Sequence, residues 1–441
     1  MTPYDRMMER TAWFRDARFG LFLHWGLYSV DGRDCWVRST ERMTDEQCQR
    51  YFDVFDPVDF RPAEWAKAAR RAGMRYAVLT AKHHDGFCLF DSALTDYTSM
   101  HAPAGRDLVR EYIEAFRAEG LRVGLYYSLL DWHHPDYPAH ADPYHPMRET
   151  EAAREAEAGR DFDRYLDYLH GQVEELCTNY GQIDLLWFDF SYDDMIGERW
   201  RGSELVEKVR RLQPGVMIDN RLEVSGAGFG SLVTAESLPW AGDFVSPEMI
   251  IPPAPVRDEL GRPVPWESCI TMNNHWGYDP SDLAFKDPGL IVKKLVECVS
   301  KDGNLLLNVG PDARGRFPRR SVEILDEIGD WMERYSASIH GCGAAPLPKP
   351  DWGRYTRGAD GVIYAHVFEG PFGPLPLTGI ARDAFGSAVK LSDGTDLRVA
   401  DCFSVLPFPE TVFLSMGRLA VETYPVDDDI DTVLTISLRE A

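Results

Sequence analysis

Residues 183–194 read IDLLWFDFSYDD, a stretch that begins as a buried strand and ends in a cluster of acids. An apolar run of this kind, bounded by polar residues, is the pattern of a strand covered on both faces, as in a parallel sheet. Alternation along the strand places Trp187 and Asp189 on one face, opposite Leu186 and Phe188. Burying a carboxylate is costly unless it has partners or a task. Asp189, at the strand's end, is the acid expected to point into a site. Asp193 and Asp194 lie beyond the strand and are expected to cap a loop.

Similar runs recur on either side. They are FGLFLHW (19–25), YAVLTAKH (76–83), RVGLYYS (122–128), VMIDNR (216–221), a weaker SLVTAE (231–236), SCITMN (268–273) and NLLLNVG (304–310). Between most of them the spacing is helical, as in PAEWAKAARRAG and in RDLVREYIEAFRAEG, which ends on a capping Gly120. Eight apolar runs separated by helices predict an α/β fold closed as a (β/α)8 barrel. A doubly wound sheet is the alternative, but no glycine-rich phosphate loop follows the first run, and no cofactor is expected. After residue 343 the texture changes. Pro346, Pro348 and Pro350 mark a linker, and short alternating runs follow: VIYAHVF, AVKLSDG, LRVADC, TVFLSMG and TVLTISL. These predict an antiparallel β-sandwich over 344–441, after a barrel domain over 1–343.

Composition narrows the partners. The chain has 441 residues, 44 % of them apolar, and a formal charge of −24. Nucleic-acid binding draws its affinity from Lys and Arg on phosphates, so no nucleic-acid partner is expected. The N-terminus shows no apolar leader and no window resembles a membrane span, so a cytoplasmic protein without a membrane partner is expected. The eight cysteines are scattered without a CxxC pair. Oligomeric state is not legible.

Eleven of the twelve histidines precede residue 344. His24, His83 and His84, and more loosely His133 and His134, fall where barrel strands end, the place where this fold assembles its sites. Clustered histidines raise a metal hydrolase, but no HExxH, HxH or HxxEH spacing is present, and no metal is expected. A polyhydroxylated ligand fits better, with His24, His83 and His84 bonding hydroxyls and Trp25, Trp36, Trp187 and Trp276 as apolar walls. Cleaving a glycosidic bond needs two carboxyl groups, one ionised and one protonated. Asp189 is the ionised candidate. Glu236, Glu248 and Glu267 are all open as its partner.

At these residues the chain resembles a known family. WFRDARFGLFLHWGLYSV, YAVLTAKHHDGF, GLYYSLLDWHHPDY, IDLLWFDF, PWESCITMNNHWGY and VSKDGNLLLNVGPDARGRFP, in that order over about residues 10–340, resemble the α-L-fucosidases of glycoside hydrolase family twenty-nine. The resemblance implies an exo-acting, retaining hydrolysis of a fucosylated oligosaccharide or glycoside, on a barrel with a C-terminal sandwich. It implies Asp189 as nucleophile and Glu248 as general acid/base in a partly apolar setting, with Glu236 in reserve. It further implies His24, His83, His84, Tyr127 and Arg221 as hydroxyl and ring-oxygen contacts, and Trp36 and Trp276 as walls. Two departures stand out: Phe190 follows Asp189 where many relatives have glycine, and Cys35 stands where some carry an acid. Cleavage of α-L-galactosides, or fucose binding without cleavage, are the competing readings.

Overall fold

The structure is a computed structural model that describes residues 2–224, 228–416 and 430–439. Seven parallel strands form the first sheet: β1 (Phe19–Leu23), β2 (Tyr76–Lys82), β3 (Arg122–Ser128), β4 (Leu185–Asp189), β5 (Met217–Ile218), β6 (Glu267–Thr271) and β7 (Asn304–Val309). Their order is β5-β4-β3-β2-β1-β7-β6. Helices cover the outside, among them Leu108–Ala118, capped at its start by the Asp107 side chain, and Pro62–Arg71, which opens on a proline.

The expected sixth strand, 231–236, is not a strand. Gly230–Val233 is a short 3₁₀ turn, and the Ser231 N–H and hydroxyl are both taken by the Glu223 carboxylate. A side chain that captures local backbone groups in this way competes with a ladder. The gap between β5 and β6 is filled instead by 243–248, bridged in parallel through Asp219 and Phe244 on one side and through Val245 and Trp266, then Glu248 and Cys269, on the other. Two residues explain why this piece is irregular yet closes the cylinder. Pro247 has no N–H to give a neighbour. Gly242 has φ +82°, and a β-carbon there would lie 2.1 Å from the Asp219 carbonyl oxygen, so only glycine lets the chain turn in so closely.

The barrel interior is a packed core of Phe22, Tyr76, Val78, Tyr126, Leu185, Trp187, Met217, Phe244, Cys269 and Leu306. Phe14, on the helix Ala12–Ala17, closes its lower end, 5.0 Å from Phe244 and 5.6 Å from Tyr76 between ring centres. A much larger apolar layer, including Leu186 and Phe188, joins the strands' outer faces to the helices. The alternation read from the sequence of β4 is therefore the one observed.

The second sheet is antiparallel: β8 (Gly343–Ala344), β9 (Gly353–Arg357), β10 (Ile363–Val367), β11 (Leu375–Ala381), β12 (Phe385–Lys390), β13 (Asp396–Val399), β14 (Thr411–Ser415) and β15 (Thr432–Leu438), ordered β11-β14-β13-β12-β15-β10-β9-β8. It folds around its own core, with Ile363, Leu375, Val412 and Ile436 inside. Of the expected runs, TVFLSMG has its last residue outside the described residues. A buried polar latch joins this sheet to the barrel. The Asp431 carboxylate accepts from the Trp331 indole N–H at 2.8 Å and pairs with His366 Nδ1 at 3.0 Å.

Because Phe14 is fully buried at the barrel's lower end, Phe14→Ala should cost about 3–5 kcal/mol, read as a lowered denaturant midpoint.

Candidate active site

The upper end of the barrel opens into a narrow cavity lined by Phe22, His24, Cys35, Trp36, His83, His84, Tyr126, Trp187, Asp189, Phe190, Glu248, Cys269 and Trp276. Asp189 is the last residue of β4, level with Ser128 of β3. Its carboxylate accepts from the Tyr126 hydroxyl at 2.9 Å and from Arg221 Nη1 at 3.1 Å. Burial pushes this carboxyl up to about 6, a rise that Arg221 opposes and the nearby Glu248 charge assists.

Arg221 is buried, and four of its five N–H donors are used. Nη2 donates to Glu248 Oε2 at 3.0 Å and to the Ser246 carbonyl at 3.1 Å, and Nε donates to Ser246 Oγ at 2.9 Å. The guanidinium lies 4.7 Å over the Trp187 ring, a cation–π contact from the barrel interior. One cation thus joins both candidate carboxylates, and a planar fork is the group that can do so. Glu248 comes from the irregular 243–248 segment that closes the barrel, and 38 % of its side chain is exposed. The resemblance implied a partly apolar setting for Glu248. The structure sets it in the cavity lining with Phe190, Cys269 and Trp276, and also pairs it with Arg221.

The histidines continue the wall beside the acids, His84 Nε2 lying 3.9 Å from Asp189 Oδ2. Asn308 Nδ2 donates to the Trp276 carbonyl at 2.7 Å, which turns its Oδ1 toward His24 Nδ1, also at 2.7 Å. His24 Nδ1 must therefore carry the proton, leaving Nε2 as an acceptor on a ring lining the cavity. His84 is fixed by the same logic. The Ser128 hydroxyl donates to the Leu130 carbonyl, so it accepts from His84 Nδ1 at 2.7 Å. Burial holds His24 down to about 3, and keeps His83 and His84 well below the usual imidazole range, so all three are neutral at pH 7. His83 Nδ1 is buried and has no hydrogen-bond partner, and its ring stacks on Tyr126 with centres 5.4 Å apart. A buried orphan nitrogen beside a cavity is a group that a polar ligand can satisfy.

The architecture of cavity, paired acids and neutral histidines coincides with a family match: the α-L-fucosidase family model covers residues 3–337. The chain belongs to the α-L-fucosidase family. It is thereby a glycoside hydrolase. Curated relatives of this fucosidase chain include α-L-fucosidase of Dictyostelium discoideum, 28 % identical over 403 residues that span 83 % of this chain and 80 % of the relative. Human plasma α-L-fucosidase is also 28 % identical, over 75 % of this chain and 69 % of its own. Among solved structures, α-L-fucosidase isoenzyme 1 from Paenibacillus thiaminolyticus is 50 % identical with a TM-score of 0.93, covering 99 % of this chain and 100 % of that one. An α-L-fucosidase from Bacteroides thetaiotaomicron, trapped as a covalent intermediate with 2-fluoro-fucosyl fluoride, is 28 % identical with a TM-score of 0.81 over 100 % and 97 % of the two chains.

The structure of this fucosidase brings together nine of the ten residues expected at the site: Asp189, Glu248, His24, Trp36, His83, His84, Trp187 and Trp276 line the cavity, and Arg221 bridges its acids. Tyr127 is the exception. It faces outward, where its hydroxyl donates to Gln172 at 2.8 Å and its ring lies 4.3 Å from Lys82 Nζ, and Tyr126 occupies the inner position instead. Alternation carried from Asp189 across to β3, with its neighbour Ser128, would have placed Tyr126 inside. The reserve acid Glu236 is exposed in a loop beside a separate hollow that includes Tyr4 and Arg262. Glu267 is sealed inside the barrel, bonded to the Tyr76 hydroxyl and 3.4 Å from the Trp187 indole nitrogen, and burial pushes it up to about 7. Trp25 packs outside the barrel against Phe55, Phe60 and Trp65. Asn308, Ser128 and Ser246, which orient the histidines and the arginine, carry no signal in the sequence. Among the described residues no group of three His, Cys, Asp or Glu side chains could hold a metal ion.

The inward place of Tyr126 yields a direct test. In Tyr126→Phe the Asp189 carboxylate loses a donor to its charged form, so its NMR titration should move above about 6, whereas Tyr127→Phe should leave it in place.

Proposed function

We propose that the protein is an exo-acting, retaining α-L-fucosidase in which Asp189 is the nucleophile and Glu248 the general acid/base. The observation that carries this reading is the pair of carboxylates held on one Arg221 fork at the edge of a blind cavity. A cavity floored by Trp187, Tyr126 and Cys269 accepts a terminal sugar and stops there. The relative trapped as a covalent intermediate supports a two-step course.

In the first step an Asp189 oxygen attacks the anomeric carbon while Glu248 gives its proton to the glycosidic oxygen. The leaving group departs as an alcohol, and the sugar is held as an ester on Asp189. In the second step Glu248 takes a proton from water, the hydroxide portion adds to the anomeric carbon, and the ester bond to Asp189 breaks. One negative charge therefore moves from Asp189 to Glu248 and back. Arg221 donates to both, so it faces that charge at the start and the end of each step without reorganising. The Nε2 atoms of His24 and His84 accept from sugar hydroxyls, while Trp36 and Trp276 supply faces for C–H surfaces and for the methyl group that fucose carries in place of a hydroxymethyl.

Asp189→Gly should lower kcat on an aryl α-L-fucoside by at least about 10³-fold, with azide restoring turnover as β-L-fucosyl azide. Hydrolysis by Asp189→Gly at the unaltered rate would exclude Asp189 as the nucleophile. Glu248→Ala should lose about 10²–10⁴-fold on a poor leaving group and far less on an activated aryl one. Equal losses would make Glu248 a binding group instead.

Attack requires ionised Asp189, and its carboxyl sits at about 6. Protonation below that value removes the nucleophile. In the free enzyme kcat/KM should therefore fall tenfold per pH unit on the acid side of about pH 6. The first anomer released, followed by NMR, should be α-L-fucose.

A further inference from the structure

Three aromatic rings meet where the cavity opens. Phe190 follows Asp189 directly, Trp36 lines the cavity wall, and Tyr144 comes from the loop after β3. Their centres are 5.1 Å apart for Tyr144 and Phe190, 5.7 Å for Trp36 and Phe190, and 5.8 Å for Trp36 and Tyr144, all edge to face. Phe190 also touches the His84 ring at 5.5 Å, so the cluster is continuous with the sugar-binding wall. Tyr144 nevertheless stays 37 % exposed, and Trp36 and Phe190 are only half-buried.

The exposed ring is held in place from beneath. The Tyr144 N–H donates to Asp142 Oδ1 at 2.7 Å, and its carbonyl accepts from Ser39 Oγ at 2.6 Å. Asp142 is fully buried and its other oxygen takes the Trp132 indole N–H and the Tyr137 hydroxyl, each at 3.1 Å. A surface aromatic anchored by a buried polar network is preorganised for contact rather than left over from packing.

We infer that Tyr144 and Phe190, backed by Trp36, form the platform on which the leaving hexopyranose ring lies during cleavage. The inference rests on the fucosidase reading above and specifies its second subsite. The Tyr144 and Phe190 planes are 72° apart, so the apolar C–H face of a pyranose lies on one ring with the other at its edge, just outside the scissile bond. Asp193 and Asp194, exposed shortly beyond Phe190, disfavour a negatively charged leaving group. Phe190, which stands where many members of the resembled family have glycine, thus acts in specificity as a positioning residue.

The test compares two substrates in the full-length enzyme. One is α-L-fucosyl fluoride, whose leaving group has no ring. The other is whichever of the α-1,2-, α-1,3-, α-1,4- and α-1,6-linked fucosyl hexopyranoside disaccharides the unaltered enzyme cleaves fastest. Tyr144→Ala and Phe190→Ala should each lose at least about tenfold more kcat/KM on the disaccharide than on the fluoride, and Tyr144→Phe should restore the disaccharide rate. Turnover of the fluoride reports in each case that the variant is folded. Equal losses on both substrates, or an undiminished disaccharide rate in both alanine variants, would overturn the platform. An unaltered enzyme that cleaves neither substrate would instead overturn the fucosidase reading.

Discussion

The Arg221 guanidinium is the interaction on which the site depends. Two carboxylates at the mouth of a barrel repel each other and resist burial, and a single buried cation holds both. Breaking a buried pair of this kind by removing one member costs about 3–5 kcal/mol, because the remaining charge is stranded. Arg221 is in turn fixed from three sides: Trp187 lies beneath it, and Ser246 accepts through both its hydroxyl and its carbonyl. The geometry of the paired acids is therefore inherited from the barrel interior through Trp187 and from the closing segment through Ser246.

That closing segment explains an irregularity of the fold. A regular strand at the sixth position would hydrogen-bond along its length and present alternating residues. The stretch 243–248 makes only isolated bridges, with Pro247 interrupting, yet it carries both Ser246 and Glu248 to the site. The barrel gives up ladder hydrogen bonds where the segment brings the Glu248 carboxylate and the Ser246 carbonyl together on Arg221. A local departure from regular structure at a functional position is a common compromise in natural folds.

The histidine wall follows the same economy of partners. Asn308 and Ser128 each use one bond to a backbone carbonyl to fix their own orientation, and thereby fix which nitrogen of His24 and His84 is an acceptor. Burial keeps these rings neutral, which under the proposed function suits them to read hydroxyl groups rather than to carry charge. The charged groups of the site are thus Asp189, Glu248 and Arg221, and under the proposed function recognition is left to uncharged groups.

Sequence alone determined those features that follow from periodicity along one element. The apolar run of β4 and its alternation gave a parallel, covered strand with Asp189 on the inner face, and the repetition of such runs gave the barrel. Features that depend on where two distant segments meet needed the tertiary structure. SLVTAE has a strand's composition, but Glu223 captures Ser231, and a segment with a proline closes the barrel instead. Tyr126 and Tyr127 are the same residue type one place apart, and alternation picks Tyr126 only once the register of β3 against β4 has set Ser128 beside Asp189. Glu236, Glu248 and Glu267 were equally plausible acids by spacing, because distance to Arg221 is not written in any local pattern. A one-residue step on a strand reverses a side chain's direction, and loop paths bring together residues tens of positions apart. Local chemistry therefore named the kinds of groups at this site, and packing chose among them.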